Sequence, residues 1–519
     1  MKRKHLFSTF FSLILIIHCH GQTAKDPASV KTEESIYARK ELNGLVMDID
    51  KQTALPYANI YVLHKNKGSI SNENGYFSLD ISDLDKTDTV CFQYIGYKSR
   101  NILIGQLDTS SVIYLKEEIY DLTETLIFGN APDPESIVKK VLKNKESNYK
   151  KTTCVRQTFI RDRNVVDIDS IRLNYKKSTI PELDQEKFKL LEESIPEHTT
   201  SYTDFLGNIY LTKNQDDSVR LKIDPVRTVT LEEKEIDALK QFDTLFENLL
   251  TSTDEKEYWK IKSGIFGEKI DEGPENPEPE KDTLKRNKRE LIYYSRNIES
   301  QLKYSLLDNK DEWEFLHETG RYNYSLAGGT SFNGEDVYII DFTPRNNGLY
   351  AGRMYISTNT FALIRADYEY APGKTGRNIH LLGIGYTETQ FSGSIDFEKK
   401  DSNYILKYFS NKAGTKVSVN RNVEISKKRK RALFDKELME FKVEIDITVK
   451  GENSIEYYVL DDREISDTQF EGFKQPESME IIFVDQFDDN LWSSYSIIEP
   501  TKQMKEYKKQ QSVKFGQKE

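Results

Sequence analysis

The chain holds only 3 Cys and 7 His in 519 residues, and beyond its N-terminus it has no further run of about eighteen apolar residues. So few cysteines exclude a disulfide-stapled scaffold, and the missing apolar runs exclude a lipid-spanning helix in the body of the chain. A surplus of positive charge is also missing. There are 74 Lys and Arg against 85 Asp and Glu, a formal net charge of -11. Phosphate binding is driven by excess cations, so nucleic acid is not an expected partner. Apolar residues make up 37% and mean hydropathy is -0.66, which describes a water-facing surface. What is abundant is aromatic: 30 Tyr and 26 Phe, residues that favour half-buried pleated surfaces. The length suits about three structural units.

Met1 to Lys4 are basic after the initiator and Leu6 to Ile17 are apolar, as in an export leader. The cleavage expected is between Gly21 and Gln22, with lipidation of Cys19 as the alternative. Cys91 and Cys154 would then be the mature thiols, far apart in sequence and read as separate buried side chains. Residues 22–40 read as a flexible lead-in.

From Glu41 to Lys116 short alternating runs are punctuated by turn chemistry at Asp48 to Thr53, Lys65 to Gly68 and Asn72 to Gly75, which predicts about seven strands in a sandwich. NGLVMDIDKQTALPYANIYV, GSISNENGYFSLDI and CFQYIGYKSRNILI, in that order, resemble the carboxypeptidase-like regulatory domain, a transthyretin-like sandwich found in envelope proteins of Bacteroidota. The resemblance covers roughly residues 41–118 and implies a seven-stranded antiparallel module for folding and interaction, with envelope proteins as partners. It implies no peptidase activity, because in metallocarboxypeptidases the chemistry sits in another domain.

A linker is expected over 119–133, then a larger mainly β domain with some α over 134–500, and a polar tail over 501–519. Asp133 and Pro134 announce a helix whose apolar face holds Ile137, Val138, Val141 and Leu142. A second helix is expected from Leu231 to Leu250, and an exposed Pro- and Glu-rich loop over 271–283. Between Gly320 and Tyr370 four alternating runs predict a curved antiparallel sheet that resembles the Lol-like half-barrel, whose concave side holds acyl chains. On that resemblance the candidate ligand face is Tyr338, Ile340, Phe342, Met354, Ile356 and Tyr368.

No motif demands catalysis. Gly329 to Asn333 lacks the last glycine of a nucleophile elbow, Gly373-Lys374-Thr375 lacks the first glycine of a phosphate loop, and Gly383-Ile384-Gly385 has Glu388 in place of a third glycine. His64, His198, His317 and His380 are scattered, so neither a metal nor a cofactor is expected. The basic run Lys427 to Arg431 reads as a solvated hairpin. Taken together, the residues predict an exported, non-catalytic envelope protein, periplasmic or associated with the outer membrane, that binds an apolar or surface ligand such as lipid or polysaccharide. The alternatives are a partner of an outer-membrane barrel or transporter, and a hydrolase of peptides or glycans.

Overall fold

The computed structural model describes residues 40–65, 67–108, 110–120, 132–149, 152–180, 183–213, 219–231, 256–264, 266–270, 283–345, 347–431, 434–492, 495 and 497–507. The leader, Cys19, Gly21 and Gln22 lie outside the described residues. So do the helix expected from Leu231 and the loop over 271–283, apart from Leu231 and Thr283 themselves.

Seven strands open the fold: β1 (Glu41–Asp48), β2 (Asn59–Val62), β3 (Gly68–Ile70), β4 (Tyr76–Asp80), β5 (Thr89–Gln93), β6 (Arg100–Leu103) and β7 (Ser110–Leu115). They form two sheets, β4-β1-β7 and β3-β2-β5-β6. Period-two alternation puts Leu42, Val46, Ile60, Val62, Phe77 and Phe92 into one core between the sheets. All pairs are antiparallel except β1 with β7, which run parallel with Leu45 opposite Val112.

Turn chemistry fixes the register. The Asn72 side chain accepts from the N–H groups of Asn74 (2.9 Å) and Tyr76 (3.1 Å), and Gly75 takes φ +80. The Asp48 carboxylate, fully buried, accepts from the N–H groups of Asp50 (2.8 Å) and Lys51 (2.9 Å) and from the Tyr97 hydroxyl (2.7 Å). Burial pushes this carboxyl up, but those donors and the Lys51 ammonium outweigh it and hold it below the usual range.

The helix expected after Asp133 is α1 (Pro134–Lys143): Asp133 accepts from the Ser136 N–H at 2.9 Å, and Ile137, Val138 and Val141 are buried. Next come β8 (Cys154–Ser178), α2 (Gln185–Ser194), β9 (His198–Lys213), β10 (Val219–Leu231), β11 (Glu257–Ser263) and β12 (Phe266–Ile270). Helices α3 (Thr283–Leu302) and α4 (Glu314–His317) precede the meander β13 (Tyr322–Phe332), β14 (Glu335–Pro344), β15 (Tyr350–Ser357) and β16 (Leu363–Tyr370). Four more strands follow: β17 (Asn378–Leu381), β18 (Ile384–Lys400), β19 (Asn403–Arg429) and β20 (Lys436–Glu464). The short β21 (Ile482–Val484) completes a 14-stranded sheet whose main path is β13-β14-β15-β16-β18-β19-β20-β8-β9-β10-β21.

Two faces of this sheet do different work. One cross-strand row runs Ile340, Met354, Ala366, Ile395, Phe409, Tyr457, Ile160, Phe205, each directly opposite the next. All eight are buried in a single core with α1, α3 and the α4 segment. On α3, Leu291, Ile298 and Leu302 recur at helical spacing and face this core. The opposite face is mixed, with polar rows beside a second apolar cluster that holds Phe159, Leu206, Tyr408 and Tyr458, and Ile70 of the sandwich packs into that cluster. Cys91 and Cys154 are free, buried thiols in β5 and β8, as expected.

Candidate binding cavity between the sandwich and the sheet

One residue along from the apolar row, the same register gives a polar row on the opposite face. It runs Asp341, Arg353, Asp367, Ser394, Ser410, Glu456, Arg161, Asp204 across eight strands. Beside it lies a second row: Glu369, Ser392, Lys412, Ser454, Arg163, Tyr202. Neighbouring strands are about 4.8 Å apart, so the floor from Asp367 to Arg161 spans roughly 19 Å. Serines hold its middle and longer side chains its ends, which leaves a hollow rather than a filled interface.

The sandwich and the C-terminal segment supply the walls. Tyr57 stacks on Tyr408 with ring centroids 4.5 Å apart, and Asn72 donates to the Glu499 carbonyl at 2.9 Å. Farther along, the Arg365 guanidinium lies 4.7 Å over the Tyr94 ring and donates to its hydroxyl at 3.1 Å. Arg365 also grips Asp367 through two bonds (2.7 and 2.9 Å) and Asp396 through one (2.9 Å), so this contact is a buried ionic anchor. Ile70 and Ile95 of the sandwich enter cores of the large sheet. Between these contacts lies a cavity of about 490 Å³, with Tyr57 and Glu73 on one side, the serine floor opposite and Thr501 at the rim.

Its charged groups are unequally satisfied. Arg161 binds Asp204 in a bidentate pair, both bonds 2.8 Å, and donates to the Ile498 carbonyl at 3.1 Å. Lys412 and Arg163 both reach Glu452, at 3.0 and 3.1 Å. Glu456 differs. It is only 8% exposed, one carboxylate oxygen stands 3.9 Å from Arg161, and the other has no hydrogen-bond partner. Burial raises its pKa to about 7; Arg161 works against this, while Glu73 and Asp204 add to it. The Arg163 Nε is likewise buried without a partner. Three buried polar atoms of the lining residues, Glu456 Oε1, Arg163 Nε and Asn411 Nδ2, thus have no hydrogen-bond partner among the described residues.

By strand register the residues singled out from the sequence belong to the other face, although Tyr368 also borders the cavity. Ile340, Phe342, Met354 and Ile356 are at most 1% exposed, Tyr368 is buried and Tyr338 half-buried. Phe315 stacks on Phe342 at 4.3 Å and meets Tyr368 at 5.0 Å, while Trp313 lies 5.6 Å from Tyr368. The structure therefore brings this apolar set together and covers it with the α4 segment.

The rejected motifs fall in turns and strand ends. Gly329 to Phe332 close β13 and Asn333 turns with φ +51, Gly373 turns with φ +79, and Gly383 with φ +78 opens β18. The basic run ends β19, where Lys427 and Arg429 pair with Glu257 at 2.9 and 2.5 Å. One carboxylate trio among the described residues, Glu424, Glu437 and Glu440, is close-set enough for a cation. Lys262, Lys428 and Lys177 already neutralise it. A second cavity of about 720 Å³ lies on the Gln93 side of the sandwich, and its lysines are paired: Lys65 with Asp88, Lys399 with Glu335, Lys407 with Glu398.

No curated protein matches the chain. Solved structures matched include a LolA superfamily protein from Nitrosomonas europaea, at 10% identity over 66% of this chain and 99% of that one, TM-score 0.16. The MucA/MucB complex of Pseudomonas aeruginosa matches at 10% identity over 62% and 93%, TM-score 0.17. A DUF1329 family protein from Desulfovibrio piger matches at 10% identity over 66% and 98%, TM-score 0.17. Superpositions this loose leave the description of the sheet to its own strand register. Residues 42–127 match the family model of the CarboxypepD_reg-like domain, a span that takes in the strands of the sandwich.

Proposed function

We propose that this chain is an exported, non-catalytic binding protein of the cell envelope whose ligand occupies the polar cavity between the sandwich and the large sheet. The observation that carries the reading is Glu456, a buried carboxyl with one unpartnered oxygen on a cavity of about 490 Å³. Leaving such a group unsatisfied costs about 1–3 kcal/mol or more, a cost that a hydrogen-bonding ligand removes. The covered apolar face favours a polar surface ligand over an acyl chain.

The sandwich acts here as an interaction module in two senses. Its β3-β2-β5-β6 side docks on the chain's own sheet, while on its other sheet Tyr76 and Val112 flank Leu45, and both are 49% exposed. That outward stripe is a surface for an envelope partner, an outer-membrane barrel included. One observation favours hydrolysis as a second reading: a carboxyl near pKa 7 suits a general acid. Asp367 is tied into the Arg365 pair, whereas Glu73 on the opposite wall is close enough to raise Glu456 and is the second carboxyl such a reading would use.

Native mass spectrometry of protein purified undenatured from the envelope tests the site. Wild type is expected to carry a small polar adduct that the cavity-filling Ser410→Trp variant lacks. An acyl-chain adduct retained by both proteins would overturn the assignment, and so would no adduct on either.

A further inference from the structure

Resting on that reading, we infer that the cavity takes a neutral, hydroxyl-rich ligand of the carbohydrate class, with adjacent hydroxyls donating to Glu456 and accepting from Arg163. Three observations converge on this chemistry. First, charge: Arg161, Arg163, Arg353 and Lys412 line the cavity against Glu73, Asp367, Glu369 and Glu456. The four cations are already paired, Arg161 with Asp204, Arg163 and Lys412 with Glu452, and Arg353 with Asp341, so none of the four is left to recruit an anion. An ammonium would meet the guanidinium groups, and an anion would meet the carboxylates.

Second, the unpartnered atoms of the lining residues include one acceptor, Glu456 Oε1, and one guanidinium donor, Arg163 Nε, with Asn411 Nδ2 a further donor. A hydroxyl both donates and accepts, so a molecule with hydroxyls on adjacent carbons satisfies the two together, and bonds to charged groups are the stronger kind. An ammonium could not accept from Arg163, and a carboxylate could not donate to the ionised form of Glu456.

Third, the floor itself is hydroxylated. Ser394, Ser410, Ser392 and Ser454 sit on three adjacent strands, Ser394 directly opposite Ser410, while Thr501 adds a hydroxyl at the rim. The Ser394 hydroxyl donates to Asp367 at 2.5 Å and so can accept from a ligand, while a serine hydroxyl without such a bond rotates to suit either role. Tyr57 and Tyr202 supply the aromatic part of the wall. A volume of about 490 Å³ lies within the range of about 300–1,000 Å³ usual for small-molecule sites.

Titration calorimetry with maltotriose, cellotriose and chitotriose, set against trigalacturonic acid and the glucosamine trimer, tests the inference on the full chain. At least one neutral trisaccharide is expected to bind. Its affinity should fall at least tenfold in Glu456→Ala and vanish in Ser410→Trp, with melting curves confirming that both variants fold. Preference for either charged trimer would overturn the neutral-ligand inference. Failure of every sugar, alongside a native adduct that Ser410→Trp abolishes, would overturn the carbohydrate class and leave the cavity as the binding site. Binding unchanged in both variants would overturn the site as well, and release of cleaved sugar would replace the non-catalytic reading with the hydrolytic one.

Discussion

At the scale of single residues, Glu456 sets the account apart from an ordinary packed interface. Its carboxyl titrates near 7 in the folded chain, chiefly because burial disfavours the charged form. Between about pH 4.5 and 7 the folded state therefore keeps a proton that the unfolded chain has released. Stability from this group is highest below that window, falls as pH rises through it and is flat above. Asp396 and Asp162, both raised to about 6 by burial, act in the same direction. Glu456→Gln should stabilise the protein by up to about 3 kcal/mol at pH 8 and by little at pH 5. Melting temperatures across that range measure it; parallel curves for the two proteins would mean that Glu456 is not held as described. None of this was legible in the sequence. Nothing marks Glu456 among 85 acidic residues, because what raises it is burial together with Glu73 and Asp204, hundreds of positions away.

At the scale of elements, legibility followed locality. Helix α1 could be read from Asp133 and Pro134 because a cap acts within three residues. The sandwich could be read because Asn72, Gly75 and Asp48 set turns beside the strands they join. The meander β13 to β16 was likewise visible in its alternation. What stayed hidden was which strands become neighbours: β8 and β20 pair along most of their length although about 290 residues separate Asn164 from Asn453. Reading Ile340 and Met354 as one face was correct as geometry, yet which face faced a cavity depended on the helices laid over it.

The element contact most open to test is the anchor of the sandwich on β16. Arg365→Met would leave Asp367 and Asp396 without their cation and Tyr94 without its donor. A loss of about 3–5 kcal/mol in urea unfolding is expected, since a broken buried pair strands its partner charges. Adding Asp367→Asn and Asp396→Asn should recover most of it. A loss under about 1 kcal/mol would show that the sandwich is not held there.

At the scale of the whole molecule, two sheet systems share one chain and enclose a polar cavity beside the apolar contact of Ile70 and Tyr57 with the large sheet. The apolar side of the large sheet is closed by α1, α3 and the α4 segment, while its polar side is closed only in part by the sandwich and by residues 497–507. This division of labour explains how the sandwich matters to the site: it supplies Tyr57 and Glu73 to a floor built by β16, β18, β19, β20 and β8. The most direct test is a crystal structure of protein purified undenatured from the envelope. Difference density for a polar molecule beside Glu456 and Ser410 is the result expected. Density for an acyl chain among Ile340, Phe342 and Met354, with only water beside Glu456, would contradict it.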